Sequence, residues 1–258
     1  MTGQLRVQWH GGEDAGVVQV QLSHPGKLNA MSRAMWRQLR EVFLALQQRP
    51  EARCVVISGE GGHFCAGGDI AEYPDFRYEE AALRHFHEEE VWGGLSAMLA
   101  CDVPLVACIE GACMGAGVEI ASTCDLRLSS ASASFGAPIA KLGFPMAPRE
   151  LALVRAAAGE LSTRQMLLEA ATLDAPTLLA RGFLSRLLPD DQVQADARDT
   201  ARRIAGLAPQ AARLNKQTLR ALASPFPEGL LDSAYAYADS AEHREGISAF
   251  LAKRRAQF

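Results

Sequence analysis

From Gly16 to Pro25 the chain reads GVVQVQLSHP, with Val18, Val20 and Leu22 alternating against Gln19 and Gln21. A period of two predicts a half-buried strand that ends at a His-Pro-Gly turn. Asn29 then has the character of a helix cap. Met31, Met35, Leu39, Val42, Phe43 and Leu46 follow at helical spacing, and Pro50 closes the segment. Arg53–Ser58, RCVVIS, predicts a short buried strand. It leads into GEGGHFCAGGDIAEY, a glycine-rich turn that opens toward a helix. The order then recurs. VPLVACIEG, from Val103 to Gly111, predicts a second buried strand, and ACMGAGVEIAS predicts a second small-residue turn running into a helix. Two strand–turn–helix units fit a mixed helix-and-sheet core. From about Asp196 onward the pattern is helical only, divided by Pro209, Pro225 and Pro227. Its last piece carries Ile247, Phe250 and Leu251 on one face, as expected of a helix packed on its own core or on a neighbouring subunit.

Small residues in a strand-to-helix turn let another backbone or a ligand approach closely, and the first N–H groups of the helix have no intrahelical partner. Two such turns facing one point would aim a pair of donors at one oxygen. Such a pair stabilises an oxyanion, each donor being worth ~3–4 kcal/mol in a transition state. Other glycine-loop chemistries fail on detail. Neither turn ends in the Gly-Lys-Ser/Thr of a phosphate-binding loop. A dinucleotide fingerprint through Gly115 and Gly117 would need glycine where Ile120 stands. No serine lies between glycines as in a nucleophile elbow. Tight helix–strand packing without a ligand also accounts for either turn taken alone.

Glu119 adds chemistry to the second turn. It lies two residues past Gly117, in the first turn of the expected helix, between Val118 and Ile120. The helix end favours its ionised form, and desolvation favours its neutral form. Opposed effects of this kind poise a carboxyl group for proton transfer near neutrality. The same spacing also fits a solvated first-turn glutamate that answers the helix dipole.

The length of 258 residues allows one large domain or one domain with an appendage. A formal charge of −4 argues against nucleic acid or an anionic membrane as partner. No apolar run reaches transmembrane length, and Met1 to His10 has no signal-peptide pattern. The six cysteines, Cys54, Cys65, Cys101, Cys108, Cys113 and Cys124, form no C-x-x-C pair and stand at no zinc-finger spacing from histidine. Buried free thiols in a reducing cytosol are expected, and hence a cytoplasmic protein without a bound metal.

HFCAGGDI, followed about forty residues later by IEGACMGAGVEIASTCDLRLSSASASFGAP, resembles the crotonase superfamily, the enoyl-CoA hydratase/isomerase family. The likeness extends over nearly the whole chain through HPGKLNAMS, LDAPTLLARGFLSRLLP and EHREGISAFLAKRRAQF. It implies an α/β fold, a spiral of ββα units, with a core over residues 1–195 and a helical C-terminal region over 196–258 for trimer formation. It implies an acyl-CoA thioester as the partner, a homotrimer or dimer of trimers as the assembly, and no cofactor beyond CoA as substrate carrier. Carried over by motif, the oxyanion donors are the N–H groups of Gly68 and Ala116, with Glu119 as acid/base. Ala66, Gly67, Asp69 and Lys27 would line the CoA end, joined by Phe250 and Lys253 of an adjacent subunit. Asp125 is expected to be structural.

The likeness breaks at one place. A second glutamate is expected after FG-x-P, and that position holds Ile139. The glycine-rich loop that normally follows is replaced by FPMAPREL. Lys141, Arg149 and Glu150 are the nearby polar residues, each expected at the surface or at a helix start. The resemblance therefore implies a lyase close to enoyl-CoA hydratase. Isomerase, hydrolase or decarboxylase chemistry, or acyl-CoA binding without catalysis, stand as alternatives.

Overall fold

The computed structural model describes residues 2–222 and, beyond them, residues 241, 245, 249, 252, 254, 256 and 257. Nine strands and eight α-helices are found among the described residues. In chain order they are β1 Gln4–Trp9, β2 Val17–Ser23, α1 Arg33–Gln47, β3 Cys54–Gly59, α2 Glu80–His85, α3 Trp92–Ala100, β4 Leu105–Ile109, β5 Ala112–Met114, α4 Ala116–Thr123, β6 Leu126–Ser130 and β7 Ser134–Gly136. Then come α5 Pro148–Leu168, broken at Gly159, β8 Thr172–Asp174, α6 Ala175–Ala180, β9 Arg186–Leu188, α7 Val193–Ala205 and α8 Pro209–Leu222.

A six-stranded sheet runs in the order β1-β2-β3-β4-β6-β9, antiparallel at β1–β2 and parallel elsewhere. A smaller sheet, β5-β7-β8, stands beside it. The strands β4 and β5 are followed by α4, and β6 and β7 by α5, so each unit gives one strand to each sheet and then a helix. The unit around β3 does the same in reduced form. Cys65, within the first glycine-rich turn, makes a single parallel bridge to Cys113 in β5. Repetition of this unit is the ββα spiral.

The burial pattern explains why β3 and β4 read as unbroken apolar runs. Val55, Ile57, Leu105, Ala107 and Ile109 face the main core, with Trp36, Leu39 and Phe43 of α1 and Leu95 and Met98 of α3. Cys54, Val56, Val106 and Cys108 point the other way and pack under Val193, Ala197, Ala201 and Ala205 of α7. A parallel strand covered on both faces has no polar side to alternate with. In β2 the alternation survives, with Val18, Val20 and Leu22 fully buried and Gln19 and Gln21 half-buried.

The cap of α1 differs from expectation. Ser32 is the capping residue, its Oγ accepting from the Met35 N–H at 3.2 Å. Asn29 instead takes a left-handed conformation at φ 61°. Its Nδ2 donates to the carbonyls of Glu60 and His63 at 2.8 Å each, and its Oδ1 accepts from the His24 N–H. An asparagine tolerates that backbone and bonds its surroundings, so it joins two turns where a cap would join one helix end. Asp125 is structural as expected: its Oδ2 accepts from the Leu105 N–H at 2.7 Å and pairs with Lys216 at 2.8 Å. The helical expectation beyond Asp196 holds through α7 and α8, while Phe250 and Lys253 lie outside the described residues.

Candidate active site

The two glycine turns are stitched to each other. The Cys65 N–H donates to Ala112 C=O at 2.9 Å, and the Met114 N–H donates to Cys65 C=O at 2.8 Å. Gly67 (φ 118°) and Gly115 (φ 47°) take conformations that side chains rarely adopt. A Cβ on Gly115 would lie 3.6 Å from the Gly67 Cα, so the turns touch backbone to backbone. Gly117 is tighter still: a Cβ there would stand 2.7 Å from the Cys65 carbonyl oxygen.

This contact leaves two amides open. The Met31 N–H donates to Gly67 C=O and the Asp69 N–H to Met31 C=O, both at 2.8 Å, so the bridge at Gly68 engages its neighbours and leaves its own N–H outside the ladder. Ala116 is the first residue of α4, and its N–H has no intrahelical acceptor. Gly68 and Ala116 line the same cavity, of about 320 Å³, walled by Trp36, Tyr73, Val91, Ile139 and Met146 among others. The two amides expected to form an oxyanion hole thus share one largely apolar chamber.

Glu119 lies in the first turn of α4 and lines that chamber. No described residue takes up its carboxyl oxygens in a hydrogen bond. Burial pushes its pKa up to about 8, with a smaller push from the carboxylate of Glu150. Desolvation therefore overrides the helix end, and near neutrality the group holds its proton and can give it up.

Glu150 corrects the expectation of a surface position. It does stand at a helix start, in the first turn of α5, but its side chain is 3% exposed. His87 Nδ1 meets its Oε1 at 3.1 Å, and His87 lines the chamber. His87 belongs to a π-helical stretch, Phe86–Val91, between α2 and α3. The sequence offered no sign of this pairing, because the partners lie 63 positions apart and neither spacing nor composition links them. Arg149 turns outward to Glu88, and Lys141 stands exposed at the chamber's edge. Ile139 opens a short 3-10 helix, Ile139–Leu142, and presents its apolar side chain to the chamber.

Tyr73 was not singled out by sequence either. A Cβ on Gly68 would lie 2.2 Å from its hydroxyl, so the phenol sits directly over the first turn. Ala66 and Gly67 line the chamber. Lys27 and Asp69 hold each other: Nζ reaches the two carboxylate oxygens at 2.8 and 2.6 Å, and Asp69 also caps the 3-10 helix Ile70–Asp75. All six cysteines are buried and free. Burial pushes Cys54, Cys65, Cys108 and Cys124 up to about 12, so none offers a thiolate. Among the described residues no cluster of His, Cys, Asp and Glu has the form of a metal site, and no helix is long and apolar enough to cross a membrane.

Known proteins resemble the chain along most of its length. A probable enoyl-CoA hydratase of Mycobacterium bovis is 32% identical over 247 residues, covering 93% of each chain. The rat mitochondrial enoyl-CoA hydratase domain-containing protein 3 is 29% identical, covering 93% of this chain and 80% of its own. A crystal structure of an enoyl-CoA hydratase/carnithine racemase from Magnetospirillum magneticum superposes with a TM-score of 0.93 at 34% identity, covering 98% of this chain and 94% of its own. The spiral of ββα units is therefore the crotonase fold. The family model described as enoyl-CoA hydratase/isomerase matches residues 12–258, and the chain belongs to that family.

Proposed function

We propose that the protein is an acyl-CoA lyase of the hydratase type, adding water across the double bond of a 2-enoyl thioester with Glu119 as its acid/base. The observation that carries this reading is a carboxyl group with a pKa near 8, unpartnered in an apolar chamber beside two open amides. The thioester oxygen sits between the Gly68 and Ala116 N–H groups, which stabilise the enolate formed when water attacks the β-carbon. Protonated Glu119 gives its proton to the α-carbon. The attacking water must lose a proton in turn. His87 is held on both sides, Nδ1 on Glu150 and Nε2 facing the Arg77 Nη1 at 3.4 Å, so the proton passes to solvent in the chamber. Return of that proton to Glu119 restores the starting state. CoA itself runs along Lys27, Ala66, Gly67 and Asp69, with Phe250 and Lys253 contributed by a neighbour in a trimer. No cofactor is needed.

Ile139 favours a second reading. Thioester hydrolysis or decarboxylation leans on the amide pair most of all and tolerates an apolar residue at that wall, and double-bond isomerisation would need Glu119 as its one base. Glu119→Gln, assayed on 2-enoyl-, 3-enoyl- and saturated acyl-CoA thioesters, tests both. Binding should survive, and hydration should fall by ~10²–10⁴-fold, the contribution of a positioned proton-transfer group. Unchanged turnover on every substrate would remove Glu119 from the chemistry.

A further inference from the structure

Arg77 lines the chamber and has no carboxylate partner among the described residues. Its Cζ lies 3.7 Å from the Phe144 ring centroid and 4.5 Å from that of Tyr73. Among the described residues, the side chain's one hydrogen-bond contact is a long approach of Nη1 to His87 Nε2, at 3.4 Å. Burial lowers its pKa, and the only opposing influence is the Tyr73 phenol. The other cations around the chamber are placed differently. Arg149 reaches Glu88, Arg33 and Arg37 reach Glu90, and Lys141 stands in solvent. Two aromatic faces hold the Arg77 guanidinium in place without using up its N–H donors. A planar fork of donors, half-buried and fixed in an apolar wall, is arranged to receive a carboxylate.

Tyr73 connects that fork to the reaction centre, since its hydroxyl overlies Gly68 while its ring carries Arg77. We infer that the acyl group handled in this chamber ends in a carboxylate, which Arg77 receives at the far side of Tyr73 from the thioester. The inference rests on the acyl-CoA reading of the same site. Arg77 Cζ stands 4.5 Å from the Tyr73 ring centroid and the Tyr73 hydroxyl overlies Gly68, so an acyl chain has to pass a single phenol ring, and the class is a short ω-carboxyacyl thioester.

Calorimetry with glutaryl-CoA and pentanoyl-CoA, which share a five-carbon chain and the whole of CoA, tests this without catalysis. Glutaryl-CoA should bind roughly 10–100-fold more tightly, the range for hydrogen bonds to a charged group. Arg77→Met should abolish that preference, and Arg77→Lys should keep part of it. Equal binding of the two ligands by the parent protein, or a preference for pentanoyl-CoA, would overturn the inference and leave the acyl-CoA reading standing. A preference that survives in Arg77→Met, or a loss of both ligands to the same degree in that variant, would also overturn it. Absence of binding by either ligand would overturn the acyl-CoA reading and the inference with it.

Discussion

The raised pKa of Glu119 makes folding stability depend on pH in a direction opposite to that of an ordinary ion-paired carboxylate. In the unfolded chain Glu119 titrates near 4.5, and in the folded protein near 8. Below pH 4.5 both states hold the proton, and the group's stabilising contribution is fully present. Between 4.5 and about 8 the unfolded chain has ionised while the folded one has not, so unfolding releases a proton and stability falls as pH rises. Above about 8 both forms are ionised, the contribution is gone, and the folded state carries a buried charge. At ~1.36 kcal/mol per unit, the full shift corresponds to an upper limit of about 5 kcal/mol, reduced by water entering the chamber. Glu119→Gln has no such titration and is otherwise close in shape. Urea unfolding of both proteins at pH 5, 7 and 9 isolates the effect, since groups remote from the chamber titrate alike in the two. The variant should gain on the parent as pH rises, by a few kcal/mol between pH 5 and 9. Curves that stay parallel within ~0.5 kcal/mol, or a parent that gains on the variant, would refute the argument that desolvation dominates at this position.

Two further outcomes follow from neighbouring residues. Glu150→Gln removes the second influence that raises Glu119; the Glu119 midpoint, read from the same pair of pH–stability curves built on that background, should move below about 8, and an unmoved midpoint would mean that Glu150 carries no charge there. Gly117→Ala places a methyl 2.7 Å from the Cys65 carbonyl oxygen, where backbone must give way; a loss of ~1–3 kcal/mol in urea unfolding is expected, and an unchanged midpoint would show the turns to be less tightly joined than described.

Much of this was legible in the sequence because it is local. The small residues around Gly67 and Gly115, the strand before each and the carboxylate after the second are close neighbours along the chain, and each has a physical reason to be there. The fold followed from the family's motifs in order, and the exchange of a glutamate for Ile139 was visible at one position. What escaped the sequence was whatever depends on pairing across long separations. Glu150 has the sequence context of an exposed first-turn residue after Pro148, and only the packing of α5 beneath the chamber makes it buried. His87 sits in FHEEEVW, a charged stretch that reads as a solvated helix face, yet a π-helical turn delivers its ring to the chamber wall. Asn29 departs from its expected role for a related reason. Its side chain suits both a cap and a turn, and the choice is made by the carbonyls of Glu60 and His63 that tertiary structure brings to it.

The bridge between Cys65 and Cys113 has a consequence for how this chamber can change. The two open amides are borne by backbone that is hydrogen-bonded across the turns and packed too closely to admit a methyl at Gly117. By contrast, the residues that shape the chamber's far wall come from two short 3-10 helices, Ile70–Asp75 and Ile139–Leu142, and the loop that carries Phe144. Donor geometry and chamber shape are therefore separable. Side chains such as Ile139, Tyr73 and Phe144 can be exchanged to reshape the chamber while the frame that carries the two open amides keeps its dimensions, so the shape of the chamber is the property most open to redesign.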